Sequence, residues 1–368
     1  MIYLDNAATT KVFDEVISEV TASLKFDYFN PSSLYSSAVK VQRKMDNARE
    51  NIAYALMAKP NEIIFTSGAT EANNWAITCG MKQKKGNIVS SYGEHPSVHE
   101  TLLSLKNQGV EVRFSPLKKD GTVDEEKFLS LIDENTSLVS LIHRSNETGA
   151  INDILTLSKK AKQINQKLVF HSDGVQGFLK LDTNLHSSDI DLYSISAHKI
   201  GGMKGTGVLY KNEKLNIRPL ILGGGQEKNL RSGTENVTGI LAFSHAVAAF
   251  QKHYNRKKIA EMSQYISNTL CQNIAEIKIN SPKGSDILSI SFHGKKSEII
   301  QRLLFEKGIL IGTGSACASR LKYNRVLEAM GVCKQCIEGS IRVSIGAFNT
   351  LDEAKQFVAV LTEIVNEQ

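Results

Sequence analysis

Between about residues 60 and 210, short apolar runs alternate with stretches whose hydrophobic positions recur at helical spacing. The runs Glu62–Thr66, Asn87–Ser91, Glu111–Phe114, Ser137–His143, Lys167–His171, Asp191–Ala197 and Thr206–Tyr210 predict strands. Between them Glu71–Cys79, Ser97–Asn107 and Ile154–Asn165 predict helices. Strands that alternate with helices imply βαβ units, hence an α/β fold with a mostly parallel sheet. In such sheets ligands bind in the crevice outside the carboxyl ends of the strands. A long helical stretch, Thr238–His253, follows, and polarity rises at Asn255-Arg-Lys-Lys258. Strands and helices then resume over Ile287–Phe292, Ser297–Lys307, Ile341–Ile345 and Leu351–Val365. A domain change near residue 255 is therefore expected, with a large domain over 14–254 and a smaller α+β domain over 255–368. Residues 1–13 are expected to pack near the smaller one.

Composition narrows the class. The 368 residues are 41% hydrophobic and 22% charged, with 26 Gly and 6 Pro, which is ordinary globular make-up and excludes disordered or collagenous chains. Five cysteines, at 79, 271, 317, 333 and 336, are too few and too odd in number for a disulfide scaffold. The first residues carry neither a basic n-region nor an apolar h-region, so a reducing cytoplasm is the expected address. The formal charge is +6 and falls mostly beyond residue 250. It forms no block and no aromatic-interleaved stripe, so it reads as a solvated face able to attract an acidic partner rather than nucleic acid.

Common motifs are absent: neither a P-loop nor a strand followed by G-x-G-x-x-G occurs. Cys333-Lys-Gln-Cys336 lacks the second pair a zinc site needs and reads first as two reduced thiols in a loop. His95 and His99 stand at i, i+4, but outside an H-E-x-x-H order. The strand ends are more informative. One finishes in His171-Ser-Asp-Gly-Val-Gln176 and another in Ser196-Ala-His-Lys199, which places Asp173 and Lys199 at two carboxyl ends. An acid and a lysine so placed suit pyridoxal phosphate, the lysine as the Schiff-base residue and the carboxylate as partner of the pyridinium nitrogen. A third strand runs into Ser67-Gly-Ala-Thr70 before a helix, where free backbone N–H groups and a hydroxyl can meet a phosphate. Glycine-rich Gly223-Gly-Gly-Gln-Glu227, then Arg231-Ser-Gly-Thr234, suggest close backbone approach, and Cys317 sits among small residues in Gly312–Ser319.

Together these segments resemble a family. Leu4-Asp-Asn-Ala-Ala-Thr9, Asn30-Pro-Ser-Ser33, Phe65-Thr-Ser-Gly-Ala-Thr-Glu71, Glu94-His-Pro-Ser-Val98, Asn146-Glu-Thr-Gly149, Ser196-Ala-His-Lys199, Arg231-Ser-Gly-Thr234, Gly314-Ser-Ala-Cys317 and Ser340-Ile-Arg342 occur in the order seen in cysteine desulfurases. Those are class V aminotransferase-like enzymes of the fold type I pyridoxal phosphate superfamily. The resemblance implies conversion of L-cysteine to L-alanine, with sulfur passed to an enzyme cysteine as persulfide. It casts Lys199 as the Schiff-base lysine, Asp173 as the pyridine-nitrogen partner and His95 as the ring-stacking proton shuttle. Thr70, Ser196 and His198 would bind the phosphate, with Thr234 reaching in from the other subunit of a homodimer, and Ala69 would also contact the cofactor. Asn146 and Gln176 would contact the phenolic oxygen side, and Asn30 and Arg342 would hold the substrate carboxylate. Cys317 would be the sulfur-accepting nucleophile, helped as thiolate by cationic neighbours such as His95. Iron–sulfur scaffolds and tRNA-thiolation enzymes are the implied acceptors. The chain departs from the family pattern at Arg144 and Ser145, at Gly202-Met-Lys-Gly205 and in the segment after Cys317. A lyase or aminotransferase acting on a related amino acid such as selenocysteine, with Cys317 not essential, is the alternative reading.

Overall fold

The computed structural model describes residues 1–81, 86–313 and 324–367. Its strands are β1 (Ile2–Leu4), β2 (Ile63–Thr66), β3 (Asn87–Ser91), β4 (Val112–Ser115), β5 (Thr136–Ser140) and β6 (Val169–Asp173). They continue with β7 (Leu192–Ser196), β8 (Gly207–Lys211), β9 (Ile277–Ile279), β10 (Ile287–Phe292), β11 (Ile309–Thr313) and β12 (Ser340–Ser344). One sheet has the order β2-β8-β7-β6-β5-β3-β4. Its pairs from β7 through β4 are parallel, whereas β8 lies antiparallel to both neighbours. Every residue of β3, β5, β6 and β7 is buried, as in a sheet covered on both faces. Helix Ala69–Gly80 covers one face through Trp75 and Ile77. Phe170 and Ile195 meet Val41, Ile52 and Phe243 on the other.

The second sheet has the order β1-β11-β12-β10-β9 and a core of its own around Ile266, Ile290, Leu304, Ile341 and Phe357. β1 pairs parallel with β11, Ile2 opposite Ile309, so the first residues belong to a sheet otherwise made late in the chain. A buried ion cluster lies between the two sheets. Asp286, next to β10, accepts from Arg144 and faces the Lys180 ammonium at 3.3 Å, while the Tyr254 hydroxyl donates to it at 3.3 Å.

Several elements escape the pattern. β1, of three residues, is too short to show periodicity, and β11 follows a helix and runs into a glycine-rich segment. Helix Ser36–Ala55 buries Ala38, Val41, Met45, Ala48 and Ile52 at helical spacing, but the small alanines among them dilute the signal. β5 ends at Ser140, three residues short of the predicted strand, though the Leu141 and His143 N–H groups still donate to β6 at His171 and Asp173.

Candidate active site

The carboxyl ends of β2, β3, β5, β6 and β7 open on one cavity of about 450 Å³. Ser67 to Glu71, His95, Asn146, Asp173, Gln176, Ser196, His198, Lys199 and Arg342 contribute to its walls. After β2 the chain enters helix Ala69–Gly80 through Gly68, and the first N–H groups of a helix have no acceptor within it. The approach is tight: a Cβ on Gly207 of the neighbouring β8 would lie 2.7 Å from the Gly68 backbone. That glycine lets the start of the helix sit close against the sheet.

At the other end of the cavity Asp173 closes β6 and is buried. Its Oδ1 accepts from the Val175 N–H at 3.0 Å and its Oδ2 from Asn73 Nδ2 at 2.8 Å. The same Asn73 amide donates to Ser97 Oγ at 2.9 Å, and Ser97 Oγ in turn lies 2.8 Å from His95 Nδ1. His95 caps helix Pro96–Asn107 by accepting the Ser97 backbone N–H at its Nδ1, 3.1 Å away. A backbone N–H can only donate, so Nδ1 carries no proton and the neutral ring bears it on Nε2. Burial lowers the His95 pKa, against the opposing pull of Asp173. The sequence predicts a cationic His95 that helps the Cys317 thiolate; burial disfavours the charged ring.

Lys199 ends the 3-10 turn that follows β7. Its Nζ donates to the carbonyls of Ala7 at 2.6 Å and Ala8 at 2.7 Å. Gln176 Nε2 donates to the same Ala7 carbonyl at 2.9 Å. Burial brings the Lys199 pKa down to about 8, helped by Arg342 and Lys180 and opposed by Asp173 and Asp5. A lysine so tuned is a free amine, the nucleophilic form, in roughly a tenth of molecules at pH 7, far more often than an ordinary lysine. His198 is likewise held neutral, pulled down to about 4 by burial and the nearby Lys199 and Lys204, with Nδ1 3.1 Å from Thr9 Oγ1.

Arg342, on β12, brings the second sheet to the cavity. It is buried, with Nη2 3.0 Å from Asp5 Oδ1 and Nη1 donating to the Asn146 carbonyl at 3.1 Å and to Glu147 Oε1 at 3.3 Å. Asn146 donates its own amide to Glu147 Oε1. Ala69, Thr70 and Ser196 lie together at the helix end of the cavity. Asn30 and Thr234 do not line it: they share a separate surface groove formed by 27–31 and 234–238. Cys317 lies outside the described residues. Sequence reasoning missed Asn73, Ser97, Asp5 and Glu147. Asn73 stands three residues after Thr70 on one helix, a spacing that could have placed both on one face.

The donor set suits pyridoxal phosphate: a helix start with Thr70 and Ser196 for a phosphate, a buried carboxylate for a ring nitrogen, and a depressed amine for an aldehyde. Asn73 Oδ1 is buried, has no hydrogen-bond partner among the described residues and borders the same cavity, as expected where a polar ligand belongs.

The family model described as aminotransferase class-V matches residues 2–357. A cysteine desulfurase IscS from Dictyoglomus turgidum is 36% identical over 375 residues, spanning 100% of this chain and 95% of the relative. One from Methanosarcina thermophila is 35% identical, spanning 100% of this chain and 92% of the relative. Among solved structures, a NifS-like protein superposes with a TM-score of 0.94 at 33% identity, covering 100% of both chains. SspA in complex with cysteine gives 0.83 at 30% identity, covering 95% of this chain and 100% of the other.

Proposed function

This chain belongs to the class-V aminotransferase family and is a pyridoxal-phosphate-dependent cysteine desulfurase, and from that premise we propose which of its residues do the work. Bound pyridoxal phosphate supplies an electron sink that labilises the bonds at the substrate's Cα and Cβ. Thr70, Ser196 and His198 would hold the phosphate, with Thr234 contributed across a homodimer, and Ala69 would also contact the cofactor. Asp173, kept in place by Asn73 and Val175, would hold the proton on the pyridine nitrogen, and Asn146 and Gln176 the phenolic oxygen side.

Arg342 presents a planar fork already shared between Asp5 and Glu147, and L-cysteine's carboxylate would take a place on it. Asn30 was expected to help hold that carboxylate; its place beside Thr234 puts it with the subunit-facing groove in this reading. Lys199 would bind the cofactor covalently and, once freed, carry the substrate's Cα proton on Nζ. His95 would offer its Nε2 proton over the ring. Cys317, as thiolate, would attack the substrate Sγ. The Cβ–S bond breaks, sulfur stays on Cys317 as persulfide, and protonated carbon leaves as alanine. The amine-tuned Lys199 facing Asp173, His95 and Arg342 in one cavity carries this reading.

The large unit would span 14–254 and the smaller 255–368, with 1–13 beside the latter. Sulfur would pass to an iron–sulfur scaffold or a tRNA-thiolation enzyme in the cytoplasm, the acceptor docking on the basic C-terminal third. With L-cysteine, Cys317→Ala should keep the yellow cofactor band and lose both alanine and bound persulfide. Unchanged alanine formation would instead favour a lyase or aminotransferase.

A further inference from the structure

We propose that Cys333 and Cys336 form a second sulfur site, a redox-active dithiol that takes sulfur from a persulfide and releases it as sulfide by closing a disulfide. The proposal rests on the desulfurase reading only for its supply of persulfide. Cys333 is exposed at the start of the short helix Lys334–Glu338, and its Sγ accepts the Cys336 N–H at 3.3 Å. The Cys336 side chain also hydrogen-bonds to Cys333, so the two thiol side chains already meet. The two thiols face different surroundings. Cys336 packs against the small apolar cluster of Val326, Leu327, Met330, Val332 and Ile337.

These surroundings divide the roles. The Cys336 side chain and N–H donate to Cys333 and lower its pKa, with the Lys278 cation adding to the effect. Burial, then the neighbouring Cys333, pushes Cys336 up to about 11. These shifts favour Cys333 as the nucleophile and leave the proton on Cys336 until a second step. A metal site is a poorer account: among the described residues no group of three His, Cys, Asp or Glu side chains could hold an ion, and structural zinc takes four ligands.

The chemistry balances without an added oxidant. Cys333 thiolate attacks the outer sulfur of a persulfide R–S–SH, forming Cys333–S–SH and releasing R–S⁻. Cys336 then attacks Cys333 Sγ. The S–S bond to the outer sulfur breaks, sulfide leaves with the Cys336 proton, and the Cys333–Cys336 disulfide forms. The sulfane sulfur is reduced to sulfide while the two thiols are oxidised, and two equivalents of a small thiol restore them. The site would unload sulfur that no acceptor collects.

The test uses Cys317→Ala holoenzyme given glutathione persulfide, so that it does not depend on desulfurase turnover. Free thiols are then blocked and the chain is cut with trypsin, which places Cys333 in peptide 326–334 and Cys336 in peptide 335–342. The expected result is a disulfide-linked pair of these peptides and release of one sulfide per chain. Cys336→Ser in the same background should stop with one added sulfur on peptide 326–334 and lose the sulfide release. Blocked, unlinked peptides after persulfide treatment, or sulfide release that Cys336→Ser leaves intact, would overturn the proposal. A parallel arm feeds L-cysteine to the chain with Cys317 present. If the desulfurase reading fails, that arm alone goes silent and the persulfide arm still reports.

Discussion

Single residues behind the reacting groups decide how well they are held, and Glu94 is the clearest case. It precedes His95 and is buried, with Oε1 accepting from Ser91 Oγ at 2.8 Å and from the Ile142 N–H at 2.9 Å. Oε2 is buried and has no partner among the described residues. Burial raises the Glu94 pKa to about 8, against the two hydrogen bonds, so the folded chain keeps a proton there that the unfolded chain releases near 4.5. Stability from this group is therefore complete below about pH 4.5 and is lost as pH rises to about 8. Glu94→Gln, always neutral and of the same shape, should match the parent's Tm near pH 5 and exceed it at pH 8. A constant difference between the two across that range would count against a neutral Glu94. Asp173 and Lys199 were legible in the sequence because each ends an apolar run with a short polar motif. Glu94 and Asn73 were not, since a polar residue beside a histidine or inside a helix looks like solvated surface until its burial is known.

At the scale of elements, the segment Gln226–Asn229 shows what the glycine-rich stretch is for. Gly225 is followed by left-handed backbone at Glu227 (φ 46°), Lys228 (φ 58°) and Asn229 (φ 66°). Each such residue other than glycine costs about 1–2 kcal/mol. The turn persists because Arg49 binds the Glu227 carboxylate through both terminal nitrogens, at 2.7 and 2.8 Å, and the Phe65 N–H donates to it at 3.0 Å. It is thereby pinned to β2, whose end shapes the helix start of the cavity. Lys228 is exposed, so Lys228→Gly should relieve strain and raise stability by about 1 kcal/mol. Calorimetry would show it, and a lower Tm would argue against strain at this position. The glycines announced a close backbone approach in the sequence. The left-handed residues after them carry no such signature, and neither does the partner 178 positions away on helix Ser36–Ala55.

Across the whole molecule the two sheets are joined by charge as well as by packing. Arg144, Lys180, Asp286 and Tyr254 form a buried cluster in which one carboxylate answers two cations; they hold its carboxyl down to about 2 although burial alone would raise it. Such clusters add little net stability, but breaking one strands the remaining charges. Asp286→Asn should cost roughly 3–5 kcal/mol in chemical denaturation and leave two cations without a counter-charge. A loss below about 1 kcal/mol would mean that water reaches the cluster. Arg144 stood out in the sequence as a charge where the family pattern has a small or apolar residue. Its partner lies 142 residues further on, beyond anything periodicity can reveal.

The pairing of β1 with β11 carries one more consequence, for biosynthesis. On a ribosome adding about 5–20 residues per second, the strand made first waits roughly 15–60 s for its neighbour. The Ala7 and Ala8 carbonyls that receive the Lys199 ammonium sit just past β1, so they settle only when the C-terminal sheet is being made. A nascent chain stalled before residue 309 would carry the lysine but not its finished surroundings. The reactive amine thus becomes a working one only once residues around 309 have been made.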